Sequence, residues 1–166
     1  MSNVQNILTG DNEWFTPSKY IESARKVMGS IDIDPASNHF AQLTVKADKY
    51  CTIETNGLDK HWIGNVWLNP PYGRGLIAKF VNKALDEPMI NNMIILVNSY
   101  PDTSWYHLLL GNSCALCMTR GRIHFEKKDG AKASPPSGQT FFYIGNDPDE
   151  FTREFSQYGF CINLKG

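Results

Sequence analysis

The run Val66-Trp67-Leu68, followed by Asn69-Pro70-Pro71-Tyr72, constrains this chain more than any other segment. Three apolar residues read as a short buried strand. Two consecutive prolines then fix two φ angles and remove two backbone N–H donors. The strand has to stop there, in a stiff turn lined with acceptors: the Asn69 side-chain oxygen and the Pro70 carbonyl. Two neighbouring acceptors match an exocyclic amino group, which has two protons to donate. The lone pair of such a nitrogen is delocalised into its ring and is a poor nucleophile. Gripping both protons favours the pyramidal, nucleophilic form in the transition state. Tyr72 is placed to stack on the ring that carries the amine. A turn of this kind suits methyl transfer to a planar amine; a plain proline-rich loop after a strand is the alternative.

Around this turn, strand and helix patterns alternate. Thr16 as N-cap and Pro17 at the first helical position open a helix, with Tyr20, Ile21, Ala24, Val27 and Met28 at helical spacing and Gly29 to close it. Ile31–Asp34 alternates and ends at Pro35, so it reads as a short strand. Residues 36–50 are ambiguous, with a helical turn around Ala41–Ala47. A helix is expected from about Leu76 to Glu87, a central strand at Met93–Val97, and a helix over 103–110 capped by Asp102 and stopped by Gly111. Strands are expected at Ala115–Met118, Ile123–Phe125, Thr140–Ile144 and Phe160–Leu164. The last of these follows a helix opened by the capping box Asp147-Pro148-Asp149-Glu150. Such alternation predicts an α/β fold with a mostly parallel sheet and helices on both faces. Ligands on such sheets bind beyond the carboxyl ends of strands. Asp34-Pro35 and Asn69-Pro70 are both expected there.

At 166 residues the chain has room for one domain with a real core. Residues 1–13 read as a loose segment and 14–166 as the domain. The net charge of −1 gives no global basic field, so any DNA contact has to rest on local patches. No apolar stretch reaches the length of a membrane span, and no signal-peptide pattern opens the chain, so a cytoplasmic setting is expected. Cys114 and Cys117 form a lone C-x-x-C in an apolar run, without the second ligand pair that zinc needs. They read as buried strand thiols, and no metal site is expected.

Four further segments carry candidate function, each beside a plainer reading. Trp14-Phe15-Thr16-Pro17 either wraps a small-molecule site or staples the first helix. In Asp32-Ile33-Asp34-Pro35-Ala36-Ser37, an acidic residue ending a strand can accept from a ribose or an ammonium, or simply sit solvated. Asp59, in Asn56-Gly57-Leu58-Asp59, can accept an adenine's exocyclic amine or serve as a turn residue. Thr119-Arg120-Gly121-Arg122-Ile123-His124-Phe125, with Lys127, Lys128 and Lys132, is the densest positive patch. It suits phosphate and base contacts, or forms a charged hairpin in solvent.

Taken together, these pieces resemble the phage-type DNA N6-adenine methyltransferases. The resemblance rests on Trp-x-Thr-Pro at 14–17, Asp-x-Asp-Pro-Ala at 32–36, Gly-Leu-Asp-x-x-Trp at 57–62 and Asn-Pro-Pro-Tyr-Gly at 69–73. It continues with Asp102-Thr103-x-Trp105 and Gly-Arg-Ile-x-Phe at 121–125. It implies a Rossmann-like fold that uses S-adenosylmethionine to methylate the N6 of adenine in duplex DNA. Asn69, Pro70, Pro71 and Tyr72 would hold the flipped base. Asp34, Pro35 and Ala36 would line the cofactor site together with Asn69, and Trp14, Thr16 and Pro17 would close over it. Asp59 would sit near the cofactor's adenosine. Arg74, Arg120, Arg122, Lys127 and Lys128 are the candidate DNA contacts. Ser37-Asn38-His39 stands where many amino-methyltransferases carry a glycine-rich loop, and no long insertion supplies target recognition. Recognition is then left to loops 73–76 and 126–139 or to a second subunit.

The expected reaction is direct in-line transfer from a sulfonium to the amine, with no covalent enzyme intermediate and no metal. That agrees with the lack of a nucleophile paired to a base near the turn. Cytosine N4 in DNA and glutamine N5 in release factors are the alternative acceptors for such a turn. A non-catalytic nucleic-acid-binding module on the same fold is the alternative from another class.

Overall fold

The computed structural model describes residues 15–165. Trp14 and the segment 1–13 lie outside the described residues. One seven-stranded sheet carries the molecule, in the order β2-β1-β3-β4-β8-β5-β9. Its strands are β1 (Ile33–Asp34), β2 (Lys49–Tyr50), β3 (Gly64–Leu68), β4 (Ile90–Asn98), β5 (Ala115–Thr119), β8 (Gln139–Ile144) and β9 (Gly159–Asn163). A separate antiparallel hairpin pairs β6 (Phe125–Glu126) with β7 (Lys132–Ala133). The helices are α1 (Ser18–Met28), α2 (Gln42–Val45), α3 (Leu76–Asp86), α4 (Ser104–Asn112) and α5 (Pro148–Phe155).

The sheet has two halves. β1 pairs in parallel with β2 and with β3, and β3 pairs in parallel with β4. β8 then inserts antiparallel between β4 and β5, and β9 pairs antiparallel with β5. Five strands therefore share one direction, while β8 and β9 oppose it. The sheet is mixed rather than close to all-parallel, because no helix separates β5 from β8 to return the chain to the far end of the sheet.

Side chains on the central strands alternate between two apolar layers. Trp67, Ile94, Leu96, Phe141 and Tyr143 meet α1 and α5 on one face. Val66, Leu68, Met93, Ile95, Val97 and Phe142 meet α3 and α4 on the other. The period-2 pattern thus yields two cores, with helices on both faces.

Several expected boundaries hold and some move. Gly29 ends α1 at φ 88°, with its N–H on the Arg25 carbonyl. Asp147 caps α5 by accepting the Glu150 N–H at 2.9 Å. Thr16 is not the cap of α1: Pro17 holds that position, and Thr16 turns its hydroxyl to Asn69. Asp102 does not cap α4 either. Thr103 stands at the cap, and the helix runs through Gly111 to Asn112. The ambiguous stretch 36–50 holds both α2 and the two-residue strand β2.

Candidate active site

The shared strand direction brings the carboxyl ends of β1, β3 and β4 to one edge of the sheet. A cavity of about 700 Å³ opens over the ends of β1 and β3. Its walls include Thr16, Asp34, Pro35, Ala36, Asn69, Pro70, Pro71, Tyr72 and Arg74. Segments more than fifty residues apart in the chain therefore meet in one place. Pro17, Asp59, Arg120, Arg122, Lys127 and Lys128 are not part of the wall.

Asp34 is the buried charge of this cavity, only 2% exposed. Its Oδ2 accepts from Gln42 Nε2 at 2.9 Å, and the same nitrogen reaches Ser37 Oγ at 2.7 Å. Its Oδ1 is buried and has no hydrogen-bond partner among the described residues. Burial pushes the carboxyl up to about 7, against the lowering pull of the nearby donors on Ser37, the Ala36 backbone and Gln42. A buried carboxylate oxygen without a partner is costly unless a ligand supplies one. The other acid of the pair, Asp32, is structural. It accepts from Ser30 Oγ at 2.8 Å and from the Asn65 N–H at 2.7 Å, tying β1 to β3.

Gly57 packs directly against Pro35 in this wall. A Cβ there would lie 2.0 Å from the Pro35 carbonyl oxygen, so only glycine allows this approach. Its own carbonyl accepts from Trp62 Nε1 at 2.9 Å, with Trp62 fully buried. Gly57 and Trp62 thus shape the wall. Asp59 faces solvent beyond the rim, where Asn56 Nδ2 donates to it at 2.8 Å.

The Asn69-Pro70-Pro71-Tyr72 turn stands at the end of β3. Asn69 Nδ2 donates to Thr16 Oγ1 at 3.4 Å, which leaves Asn69 Oδ1 free as an acceptor. The Tyr72 hydroxyl accepts the Asn98 N–H at 2.6 Å, and its ring lies edge-on to Tyr100 and Trp105. Burial raises the phenol above its ordinary range, so it stays protonated. The ring is therefore pinned where it forms part of the wall. Arg74 follows at φ 53°, a left-handed conformation that turns the chain into α3.

Partners that sequence reasoning missed close the rim. Phe15, a wall residue, bridges Glu126 of β6 through two backbone hydrogen bonds of 2.7 and 3.0 Å. Phe15 lies 6.3 Å from Phe40, and Lys128 Nζ sits 4.0 Å over the Phe40 ring. Lys128, expected to face DNA, is thus engaged beside the cavity. Gln42 carried no sequence signal of its own, since it acts through Asp34, and Gly57 was marked only as part of the Gly-Leu-Asp-x-x-Trp motif, not by its approach to Pro35. Arg120 and Arg122 lie exposed after β5. Arg122 crosses Gly138, with Nη1 3.3 Å from where a Cβ would stand.

A second cavity, of about 710 Å³, lies at the amino ends of β3 and β4, between α3 and residues 58–63. Lys83 and His61 converge there on Glu87, at 2.6 and 3.6 Å. It contains none of the candidate residues. Among the described residues no group of His, Cys, Asp and Glu is arranged to hold a metal, and no helix is long and apolar enough to cross a membrane.

A family model described as DNA N-6-adenine-methyltransferase (Dam) matches residues 4–144, which include every wall segment of the carboxyl-end cavity. The chain belongs to this family. A DNA N-6-adenine-methyltransferase from Escherichia phage T1 is 35% identical over 96 residues, or 56% of this chain. That match spans 38% of the relative's own length.

Proposed function

We propose that this chain transfers a methyl group from S-adenosylmethionine to the N6 amine of adenine in duplex DNA. On this reading, residues 14–166 form a single Rossmann-like methyltransferase domain, and its DNA substrate places it in the cytoplasm of a bacterial host. The observation that carries the proposal is the meeting of Asp34 and Asn69 in one cavity, each with an acceptor oxygen left free. Family membership and the name of the phage T1 relative support the choice of adenine.

The residues present fit a sulfonium nucleoside cofactor. The free Asp34 oxygen can accept from its ribose hydroxyls or its ammonium group, and a cavity of about 700 Å³ lies within the range of small-molecule sites. When bound, the cofactor supplies an activated methyl, so no enzyme nucleophile is needed. Pro35, Ala36 and Gly57 give close backbone walls, and Thr16 and Phe15 cover the mouth. Asp59 stands just beyond the rim, where it would lie near the cofactor's adenosine.

On the acceptor side, Asn69 Oδ1 and the Pro70 carbonyl accept hydrogen bonds from the two N–H groups of the amine. That stabilises the ammonium developing in the transition state. Pro71 keeps the turn rigid, and Tyr72 offers its remaining ring face to a base extruded from the duplex. Arg74 at the rim, with Arg120, Arg122 and Lys127 farther out, supplies phosphate contacts. No step calls for a metal.

Incubation of the chain with methyl-labelled S-adenosylmethionine and unmethylated duplex DNA, followed by nucleoside mass spectrometry, tests the reading. Labelled N6-methyladenine is expected. N4-methylcytosine would overturn the choice of base. A protein that binds the cofactor without labelling DNA would overturn the reaction and leave a binding module.

A further inference from the structure

The two edges of the sheet are finished differently. β2 closes one edge with two residues, one of them an exposed lysine, Lys49. Short, charged edges resist pairing with another strand. β9 closes the other edge with five residues, Gly-Phe-Cys-Ile-Asn, none of them charged. Among the described residues no strand pairs with its outer side.

The free hydrogen-bonding groups of that outer side follow from the register. The Leu164 N–H donates to the Cys114 carbonyl, and the Arg120 N–H to the Tyr158 carbonyl. Both bonds continue the register that sets Cys117 opposite Cys161. Even-numbered residues of β9 therefore direct their N–H and C=O to β5, and Gly159, Cys161 and Asn163 direct theirs outward. Along the same strand Phe160 is 68% exposed and Ile162 36%, with Met118 of β5 exposed beside Phe160.

We propose that β9 pairs with β9 of a second copy of this chain, antiparallel about a two-fold axis at Cys161. This register is self-complementary. Cys161 meets Cys161 of the second copy as a hydrogen-bonded pair, and Gly159 meets Asn163, so every outward donor and acceptor finds a partner. Phe160 then falls opposite Ile162 at the closer, non-hydrogen-bonded positions, where aromatic and β-branched side chains pack well. Lys165 comes opposite Gln157, so no like charges face each other. The two sheets join into one of fourteen strands. The axis turns the carboxyl ends of the two sheets in opposite directions, so both cavities stay open and complete.

Sedimentation velocity and residue-resolved amide exchange of the chain test this pairing. The wild type is expected to sediment at twice its 18.7 kDa chain mass. Its Cys161 and Asn163 amides should be protected. Phe160→Lys, at a side chain 68% exposed in the single chain, should sediment as a single chain with an unchanged circular dichroism spectrum. Its Cys161 and Asn163 amides should exchange at least tenfold faster, while the Ile162 amide, bonded to β5, stays protected. Ile162→Lys serves as the second variant. A wild type that stays monomeric at high concentration would overturn the proposal. So would a dimer that survives both substitutions, or one in which the Cys161 and Asn163 amides exchange freely.

Discussion

The parallel and antiparallel halves of the sheet are built from equally apolar strands, yet they carry different burdens. In the parallel half every strand delivers its carboxyl end to the same edge, so the residues that follow β1 and β3 converge on one cavity. In the antiparallel half the ends alternate, and β8, β5 and β9 mainly buttress the two cores. Strand direction, more than strand composition, decides where a polar side chain can join a site. Asp34 and Asn69 are thirty-five positions apart, yet share one wall because β1 and β3 lie side by side and point the same way.

Asn69→Ala should break this contrast most severely. Loss of one acceptor aimed at developing charge costs roughly 10²–10³-fold in turnover. Asn69 lies after β3 and its side chain makes one long hydrogen bond, so the fold should stay near wild type. A folded variant with wild-type turnover would remove Asn69 from its role.

The next effect is a pH dependence centred on Asp34. Its carboxyl titrates near 7 in the folded chain and near 3.9 when unfolded. The folded state therefore holds the proton more tightly, and ligand-free stability falls as pH rises from about 4 to about 7. A ligand that needs the ionised oxygen shows the opposite trend. Affinity for S-adenosylmethionine should rise roughly tenfold between pH 6 and pH 8, as the ionised fraction grows. Calorimetric titration across that range checks the slope. Asp34→Asn should weaken binding and flatten both dependences.

Lys128→Met should have a smaller effect, through the rim. It removes the cation over Phe40 while keeping an apolar stem. Cofactor dissociation should quicken by about two- to fivefold, in line with about 0.5–1 kcal/mol for an exposed cation–π contact. Stopped-flow release of a fluorescent cofactor analogue reads this directly. An unchanged rate would free Lys128 for the DNA-facing role its sequence position suggested. Arg122→Ala should act last and least on the cavity. It should leave cofactor affinity alone and lower the salt dependence of DNA binding by about one counterion.

The turn at 69–72 was legible because its chemistry is local: prolines that stop a strand, an amide, an aromatic ring. Asp34 was legible for the same reason, as an acid before proline at a strand end. Asp32 looks alike in sequence but serves only to tie β1 to β3, a difference that depends on where Asn65 lies. The direction of β8 and β9 was not legible, because period-2 patterning is the same for a strand run either way. Nor were Gln42 on Asp34, Thr16 on Asn69, or Phe15 on Glu126, since each joins segments that only the folded chain brings together. The lysine loop was legible as charge, but charge alone does not reveal that Lys128 lies over Phe40.

Backbone amide mapping by NMR during titration with S-adenosylhomocysteine, the unreactive product of the proposed cofactor, shows directly which cavity binds it. Shifts are expected at Ala36, Ser37, Gly57 and Asn69, around the cavity at the carboxyl ends of the parallel strands. Shifts confined to His61, Glu87 and Met89, around the cavity at the amino ends, would contradict this expectation, as would saturation without any change at Ala36 or Asn69.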